Sequence, residues 1–319
     1  MRQKLGYIGL IMFCIAAVGA AFSYTLGGLR GRAENPQELR LAASFYPVYI
    51  IALNLTEGIP GVQVQNLTAN QSGCLHDYQL TTRDMRLLEQ ADALLANGGG
   101  MEPFLEQAAK TLPDLPIIYS DQGVELLTGE AHSHDHEHNQ EHSQKNAHIW
   151  LSPKCYQAQI RNLTDGLIAL DPKHQAAYEE NRDRYLAQVE EVAKEYQDVF
   201  SGEEREPVLL FHEAFAYLAE IVPLEVIETL ELEGEEQALR AGKMRELIEE
   251  IRLHQIRYLL TEDLGVTAAQ EGTVAEVLAK EGGAKLIALN PLTKGESDTS
   301  SWLDGMRENL ETLILVLTK

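Results

Sequence analysis

The chain has 319 residues, of which 45% are hydrophobic and 24% charged, a composition typical of a globular protein long enough for two domains. Its 49 acidic residues outnumber its 26 basic residues, and the formal net charge is −23. Because a protein that neutralises phosphates needs a basic surface, this charge argues against nucleic-acid binding; an acidic surface attracts cations instead. The three cysteines are too few for a disulfide scaffold or a four-thiolate zinc site.

The amino-terminal end has the pattern of an export signal. Basic residues lie on both sides of an uncharged run over 5–29. As a helix such a run is about 37 Å long, and the hydrocarbon core of a bilayer is about 30 Å thick. We predict a signal anchor over 1–32 that holds the protein at the outer face of the cell membrane. The small residues of this run leave cleavage open, which would give a periplasmic or secreted protein.

Short apolar runs alternate with helical patterns through the rest of the chain. They predict eight strands in two sets, 41–46, 62–67, 93–97 and 116–120, then 208–211, 224–227, 257–261 and 285–290. Strands separated by helices form parallel sheets through right-handed crossovers. We therefore predict an α/β fold of two lobes, each with a small, mainly parallel sheet flanked by helices.

One long helix is predicted between the two sets of strands. Asp171 is suited to cap it and Pro172 to begin it. Aromatic residues and valines then recur at helical spacing on one face: Tyr178, Tyr185, Val189, Val192, Tyr196 and Val199. A helix over 172–200 is about 43 Å long and can join the lobes as a rigid strut. The predicted boundaries are 33–170 for the first lobe, 171–201 for the linking helix and 202–319 for the second lobe.

The segment 129–146 is polar and of low complexity, and we predict a flexible loop in the first lobe because it cannot form a core. Acidic residues separate its five histidines, His132, His134, His136, His138 and His142. Imidazoles beside carboxylates in such a tract bind borderline metals such as Zn²⁺ weakly and exchangeably. The composition favours metal capture and handover over a solvated acidic linker.

Three further histidines, His76, His148 and His212, lie where a strand pattern gives way to a loop or a helix. In open α/β sheets ligands collect at the carboxyl ends of strands, and His212 directly follows the run 208–211. The separations of the three along the chain form no local motif. The pattern alone therefore leaves each histidine open to a structural role or to a ligand role.

Six motifs occur in order along the chain: FYPVY (45–49), GCLHDYQLTTRDM (73–85), NGGGMEPF (97–104), AHIWLSP (147–153), FHEAFAYLA (211–219) and NPL (290–292). Together they resemble the metal-binding solute-binding proteins of ABC transporters, cluster A-I, zinc branch. The resemblance covers most of 40–315 and implies a metal held in the cleft between two lobes that one long helix joins. It implies His76 and His148 of the first lobe and His212 of the second as ligands.

The resemblance also has implications for which metal is bound and where it is delivered. Manganese members place a carboxylate at the third ligand position, so His212 favours Zn²⁺ over Mn²⁺, in keeping with the preference of zinc for imidazole. Asn290 stands near the aspartate that many members use as fourth ligand, which leaves Glu296, Asp298 or a water open for that position. The implied protein is not an enzyme; it delivers Zn²⁺ to an ABC permease, and we expect a monomer.

Two alternatives use the same scaffold, a zinc-dependent hydrolase and a surface metal-binding adhesin. Three imidazoles and a water also make a catalytic zinc site, and His212-Glu213 begins like the H-E-x-x-H motif. Ala216 stands where that motif needs its second histidine, which argues against the hydrolase. An adhesin would use the same fold and ligands, and the sequence does not separate it from a transport protein.

Several other residues near the predicted ligands have structural roles to consider beside a role in metal binding. Cys74 and Cys155 are open to a disulfide, to metal binding as thiolates, or to roles as small buried residues. The run 98–100 of three glycines lacks the spacing of a phosphate loop and predicts a tight turn beside the cleft. Trp150 and Trp302 are predicted core residues. Glu262, directly after the strand pattern 257–261, is predicted to cap a helix rather than to bind metal.

Overall fold

The structure, a computed structural model, describes residues 38–69, 75–76, 78–128, 145–230, 241–262 and 273–318. The predicted signal anchor, the five histidines of the His-rich segment and Cys74 lie outside these residues. No helix within the described ranges combines the length and the apolar character needed to cross a membrane. By its internal contacts Arg40–Lys319 is one unit.

The first lobe contains a four-stranded sheet. Its strands are β1 (Leu39–Ala43), β2 (Val62–Asn66), β3 (Ala93–Ala96) and β4 (Ile117–Tyr119), in the spatial order β2-β1-β3-β4. β3 pairs in parallel with both β1 and β4. All four predicted strands are present, but the predicted run 41–46 extends past the end of β1. Tyr46 instead begins a helix, because Pro47 in its first turn is preorganised for helical geometry.

The helices of the first lobe are α1 (Tyr46–Thr56), α2 (Thr82–Gln90), α3 (Leu105–Thr111) and α4 (Pro153–Leu170). A capping box begins α2: Thr81 accepts a hydrogen bond from the Asp84 N–H, and the Asp84 carboxylate accepts one from the Thr81 N–H. The same carboxylate accepts a hydrogen bond from the Tyr78 hydroxyl at 2.7 Å. These contacts anchor the chain just after His76.

A tight turn of three glycines follows β3, as predicted. All three have positive φ, with Gly98 at +84°. The Glu102 carboxylate accepts hydrogen bonds from the backbone N–H groups of Asn97 at 2.6 Å and Gly98 at 3.1 Å. Burial raises the pKa of Glu102 to about 7. A Cβ atom on Gly98 would lie 2.3 Å from Asp121, so the turn requires glycine at this position for two reasons.

We expect Gly98→Ala to cost about 2–4 kcal/mol, since it adds a steric clash to the strain of a positive φ. Gly58→Ala is the matched control, because Gly58 has a φ of +71° and nothing within 4 Å of the added Cβ. That control carries only the backbone strain, about 1 kcal/mol. Chemical denaturation of both variants measures the difference; equal costs would mean that Asp121 yields freely.

The second lobe repeats the architecture. Its strands are β5 (Glu206–Leu210), β6 (Leu224–Thr229), β7 (Tyr258–Glu262) and β8 (Lys285–Leu289), in the order β6-β5-β7-β8, and each strand is parallel to its neighbours. Its helices are α6 (Ala241–Leu253), α7 (Val274–Gly282) and α8 (Ser301–Leu317). Leu209 and Leu259 of the sheet pack with Leu247 of α6 and Leu278 of α7 in one buried cluster. The predicted α/β fold with two small parallel sheets is confirmed.

The long helix between the lobes, α5 (Gln175–Phe200), has 26 residues and is about 39 Å long. Its predicted inward face is buried, except that Phe200 replaces the half-buried Val199 at the end. The predicted start is wrong by one turn, because Pro172–His174 form a 3-10 helix. The Asp171 carboxylate does not cap the backbone; it contacts the His174 ring at 2.7 Å and accepts a hydrogen bond from Tyr178 at 3.0 Å.

α5 packs against α1 and α4 of the first lobe and against the carboxyl-terminal helix α8. The Tyr196 hydroxyl donates to the Met306 carbonyl at 2.7 Å, and Arg307 forms an ion pair with Glu195 at 2.8 Å. Because α8 also contacts α1 of the first lobe and β8 of the second, the last helix joins elements of both lobes. The domain boundaries at 170/171 and 201/202 remain predictions.

Candidate metal centre

The three histidines singled out in the sequence lie together where the lobes meet. The ring centroid of His148 is 5.3 Å from that of His76 and 4.7 Å from that of His212. His148 and His212 are buried, with exposed fractions of 0% and 4%, and His76 is half-buried. The fold thus gathers three imidazoles that are far apart in the sequence.

The orientation of the His148 ring is set by Asn146. Its Nδ1 lies 2.9 Å from the Asn146 side-chain oxygen, which also accepts a hydrogen bond from the His148 N–H at 3.0 Å. The Asn146 amide nitrogen donates to the Glu213 carbonyl at 2.8 Å, so the amide oxygen faces the imidazole. This arrangement places the proton on Nδ1 and leaves the Nε2 lone pair of His148 available to a metal.

The charge state of His148 also suits a metal ligand. Burial first, and then the neighbouring imidazoles of His212 and His76, hold the pKa of His148 well below 6.5. The ring is therefore neutral at neutral pH, which is the form that coordinates a metal.

This lowered pKa makes the metal-free protein sensitive to acid. An unfolded histidine takes up a proton below about pH 6.5, whereas folded His148 takes it up only at lower pH. The unfolded state therefore binds more protons in that interval, and stability falls as the pH drops below about 6.5. We expect a shallower loss for His148→Gln than for the unaltered metal-free protein, measured by chemical denaturation between pH 7 and pH 5. If the stability of both proteins falls equally with decreasing pH, the pKa of His148 is not lowered in the folded state.

A carboxylate lies with two of the three imidazoles, and among the described residues His212 is not part of this group. One potential ligand atom each from His76, His148 and Glu213 lie within 4.8 Å of one another. Glu213 is buried, and its Oε1 is 3.6 Å from Nδ1 of His148. It begins a short 3-10 helix, Glu213–Ala216, rather than the α-helix that an H-E-x-x-H site needs. In the sequence, Glu213 stands out only as part of that incomplete motif.

His212 has a carboxylate of its own. It follows β5 in an extended conformation, with φ −160° and ψ 136°. Its Nδ1 lies 2.6 Å from Oε1 of Glu262, the last residue of β7. No sequence pattern predicts this contact, and the predicted helix cap by Glu262 concerns 263–272, which fall outside the described ranges.

The two carboxylates predicted as possible fourth ligands lie in another loop. The Glu296 carbonyl accepts a hydrogen bond from the Tyr46 hydroxyl at 2.8 Å, and the Asp298 carboxylate accepts one from the Ser300 N–H at 2.8 Å. Within the described part of the chain, neither belongs to the group formed by His76, His148 and Glu213. The fourth position remains a prediction, with Glu213 as the carboxylate that the structure adds.

Both tryptophans are core residues, as predicted, and they tie the loops of the site together. The Trp150 indole N–H donates to the Pro291 carbonyl at 2.8 Å, and the Trp302 indole N–H donates to the Trp150 carbonyl at 2.9 Å. The Trp302 ring stacks on Tyr156 at 4.1 Å between centroids. The segment that carries His148 is thereby fixed to the loop after β8 and to α8.

Cys155 lies in the first turn of α4 and is half-buried. Burial raises the pKa of this thiol, which disfavours a thiolate ligand. Because Cys74 lies outside the described residues, the disulfide between the two stays a prediction.

Two parallel sheets joined by one long helix, with imidazoles gathered between them, define the two-lobed class of extracytoplasmic solute-binding proteins that the sequence motifs predicted. A family model described as zinc-uptake complex component A, periplasmic, matches residues 41–315. The chain belongs to this family, and the resemblance to the zinc branch is confirmed.

Individual relatives agree. The chain is 28% identical over 323 residues to the high-affinity zinc uptake system protein ZnuA of Bacillus subtilis, covering 98% of both chains. It is 27% identical to the zinc-binding protein AdcA of Streptococcus pyogenes and spans only 56% of that longer protein. Among solved structures, a ZnuA crystal structure matches with a TM-score of 0.69 at 25% identity, covering 86% of this chain and 98% of that one. The Zn(II)-bound ZnuA-like domain of Streptococcus pneumoniae AdcA matches with a TM-score of 0.70 at 24% identity, covering 88% and 100%.

Proposed function

We propose that the protein captures Zn²⁺ outside the cytoplasm, holds it between its two lobes and delivers it to an ABC permease for uptake. The observation that carries this proposal is the convergence of His76, His148 and His212, from distant parts of the chain, at the junction of the lobes. Burying the imidazoles of His148 and His212 is otherwise costly, and the gathering of the three rings is accounted for by a shared ligand. Glu213, a potential ligand grouped with His76 and His148, supplies the fourth donor in this proposal.

The donor set favours zinc. Three neutral imidazoles and one carboxylate give the tetrahedral nitrogen and oxygen environment that Zn²⁺ adopts, whereas Mn²⁺ prefers carboxylates, carbonyls and water. The relatives ZnuA and AdcA are described as zinc uptake and zinc-binding proteins. A neighbouring structure of the solute-binding protein FpvC contains Mn²⁺, so the fold by itself does not select the metal. In this chain the selection comes from the imidazoles.

Delivery follows from the position of the ion between two lobes. An ion coordinated by side chains of both lobes is released when a partner shifts one lobe relative to the other, because the ligand distances then exceed about 2.1 Å. The ABC permease is the proposed partner, the protein acts as a monomer, and the segment 1–32 tethers it at the membrane. AdcA of Streptococcus pneumoniae, a relative, is described as a zinc-binding lipoprotein.

The direct test is metal analysis of the full chain purified without added zinc, followed by calorimetric titration of the metal-free protein with Zn²⁺ and Mn²⁺. We expect one tightly bound Zn²⁺ per chain, with much weaker Mn²⁺ binding. Stoichiometric Mn²⁺ in the purified protein, or no saturable Zn²⁺ binding, would contradict the proposal.

A further inference from the structure

His212, two residues beyond the end of β5, and Glu262, the last residue of the adjacent parallel strand β7, face each other. Leu210 of β5 pairs with Leu260 of β7, and the Phe211 N–H donates to the Leu260 carbonyl at 2.9 Å, which continues the ladder beyond β5. Two residues further along this register, His212 stands opposite Glu262. Residues that stand opposite each other in the register of a sheet project from the same face, so the side chains of His212 and Glu262 lie on one side of the sheet.

The contact between the two side chains is close and shielded. Nδ1 of His212 is 2.6 Å from Oε1 of Glu262, and the side chains are 5% and 15% exposed. Because β7 lies between β5 and β8, with Glu262 paired to Leu289, the carboxylate is held on a central strand rather than on a loop. A carboxylate beside Nδ1 favours the proton on that nitrogen and directs the Nε2 lone pair away from it.

We propose that Glu262 is a positioning residue for the metal centre: it fixes the tautomer and the orientation of His212 and makes its Nε2 a stronger zinc donor. This inference rests on the proposed function. The arrangement parallels that of His148, whose Nδ1 faces the oxygen of Asn146. The difference is the charge of the acceptor, since an amide supports His148 and a carboxylate supports His212, so the second lobe supplies the more basic imidazole.

The test compares Glu262→Ala and the isosteric Glu262→Gln with a charge-matched control elsewhere in the same sheet. Glu228→Gln removes one negative charge from β6, where Glu228 forms an ion pair with Lys243 at 2.6 Å. Zinc affinity of the full-length variants is measured by competition with a chelating dye. The visible absorption of the Co²⁺-loaded proteins reports the ligand geometry, and thermal unfolding of the metal-free proteins reports folding.

We expect Glu262→Ala to weaken zinc binding about 10- to 100-fold, and Glu262→Gln less, because its amide oxygen still accepts the Nδ1 proton. Glu228→Gln should change the affinity by less than about threefold. The Co²⁺ spectrum should change for both Glu262 variants and not for the control. If Glu262→Ala does not fold, the zinc affinity and the Co²⁺ spectrum of Glu262→Gln test the inference instead.

Tight zinc binding that neither Glu262 variant weakens would overturn this inference alone. A control that loses as much affinity as Glu262→Gln would also overturn it, because the effect would then be long-range charge rather than positioning. If the unaltered protein does not bind zinc, the proposed function itself fails.

Discussion

Replacing any one of His76, His148 or His212 with alanine should weaken zinc binding at least about 100-fold. The binding free energy of a four-ligand zinc site is about 10–16 kcal/mol, and each ligand contributes roughly a quarter of it. The loss is larger than that of an exposed contact because the ligands come from both lobes. Removing one imidazole therefore also removes the coordination that bridges the lobes. Calorimetric titration of the metal-free variants with Zn²⁺ measures the effect.

His254→Ala is the matched control for these variants. His254 is 41% exposed and pairs with Glu250 at 3.1 Å on the outside of the second lobe. Its removal should leave zinc affinity within about threefold of the original value, as surface substitutions usually do. Three histidine variants that bind zinc as tightly as this control would disprove the assigned site.

The His-rich segment should behave differently from the three proposed ligands. Thr128 and Lys145 form an antiparallel bridge, and the Asn146 N–H donates to the Leu127 carbonyl at 2.9 Å, so the two ends of the segment are already joined. Replacing 130–143 with a short Gly-Ser linker should keep the high-affinity site and remove only weak additional zinc binding. A loss of the tight site would show that the segment contributes a ligand.

The fold could be predicted from local pattern because each strand is a short apolar run between turn or helix signals. All eight strands lie where these runs occur, and the errors are at their ends. The apolar run 41–46 spans the end of β1 and the start of α1, and Ser44 is the one small polar residue within it. Hydrophobicity alone therefore cannot show where β1 ends. The start of α5 was misplaced for a related reason. Asp171 has the capping residue type, but its carboxylate contacts side chains instead of the backbone.

The site could be predicted only in part. Motif resemblance predicts the three histidines as ligands, which remains a prediction, and the structure brings their rings together. Their spacing in the sequence could not predict this convergence, because it depends on how the lobes are joined. The contact of Glu262 with His212 depends on strand order and register, which place β7 beside β5. Asn146 carried a local signal, since it lies two residues before His148 and an amide at that distance can reach back to the ring. The sequence contains no signal for Glu213 as a potential ligand beyond its position next to His212.

Trp302→Ala should have the largest effect on stability, about 3–5 kcal/mol, the cost typical of deleting a fully buried tryptophan. Trp302 is 1% exposed, and its ring lies nearly parallel to that of Tyr156, with 7° between the planes. Its indole N–H also satisfies the Trp150 carbonyl, two residues after His148. Urea denaturation of the metal-free protein measures this cost.

Trp302→Phe separates the ring from the hydrogen bond, because it keeps an aromatic surface for Tyr156 while removing the donor to the Trp150 carbonyl. An unsatisfied buried carbonyl costs about 1–3 kcal/mol, so this variant should lie between the original protein and Trp302→Ala. Tyr119→Ala, at a 36% exposed position of β4, should cost only about 1 kcal/mol. If Trp302→Ala costs no more than Tyr119→Ala, α8 does not brace the segment that carries His148. If it costs several times more and zinc affinity falls with it, the packing of α8 on Trp150 is part of what holds His148 toward the second lobe.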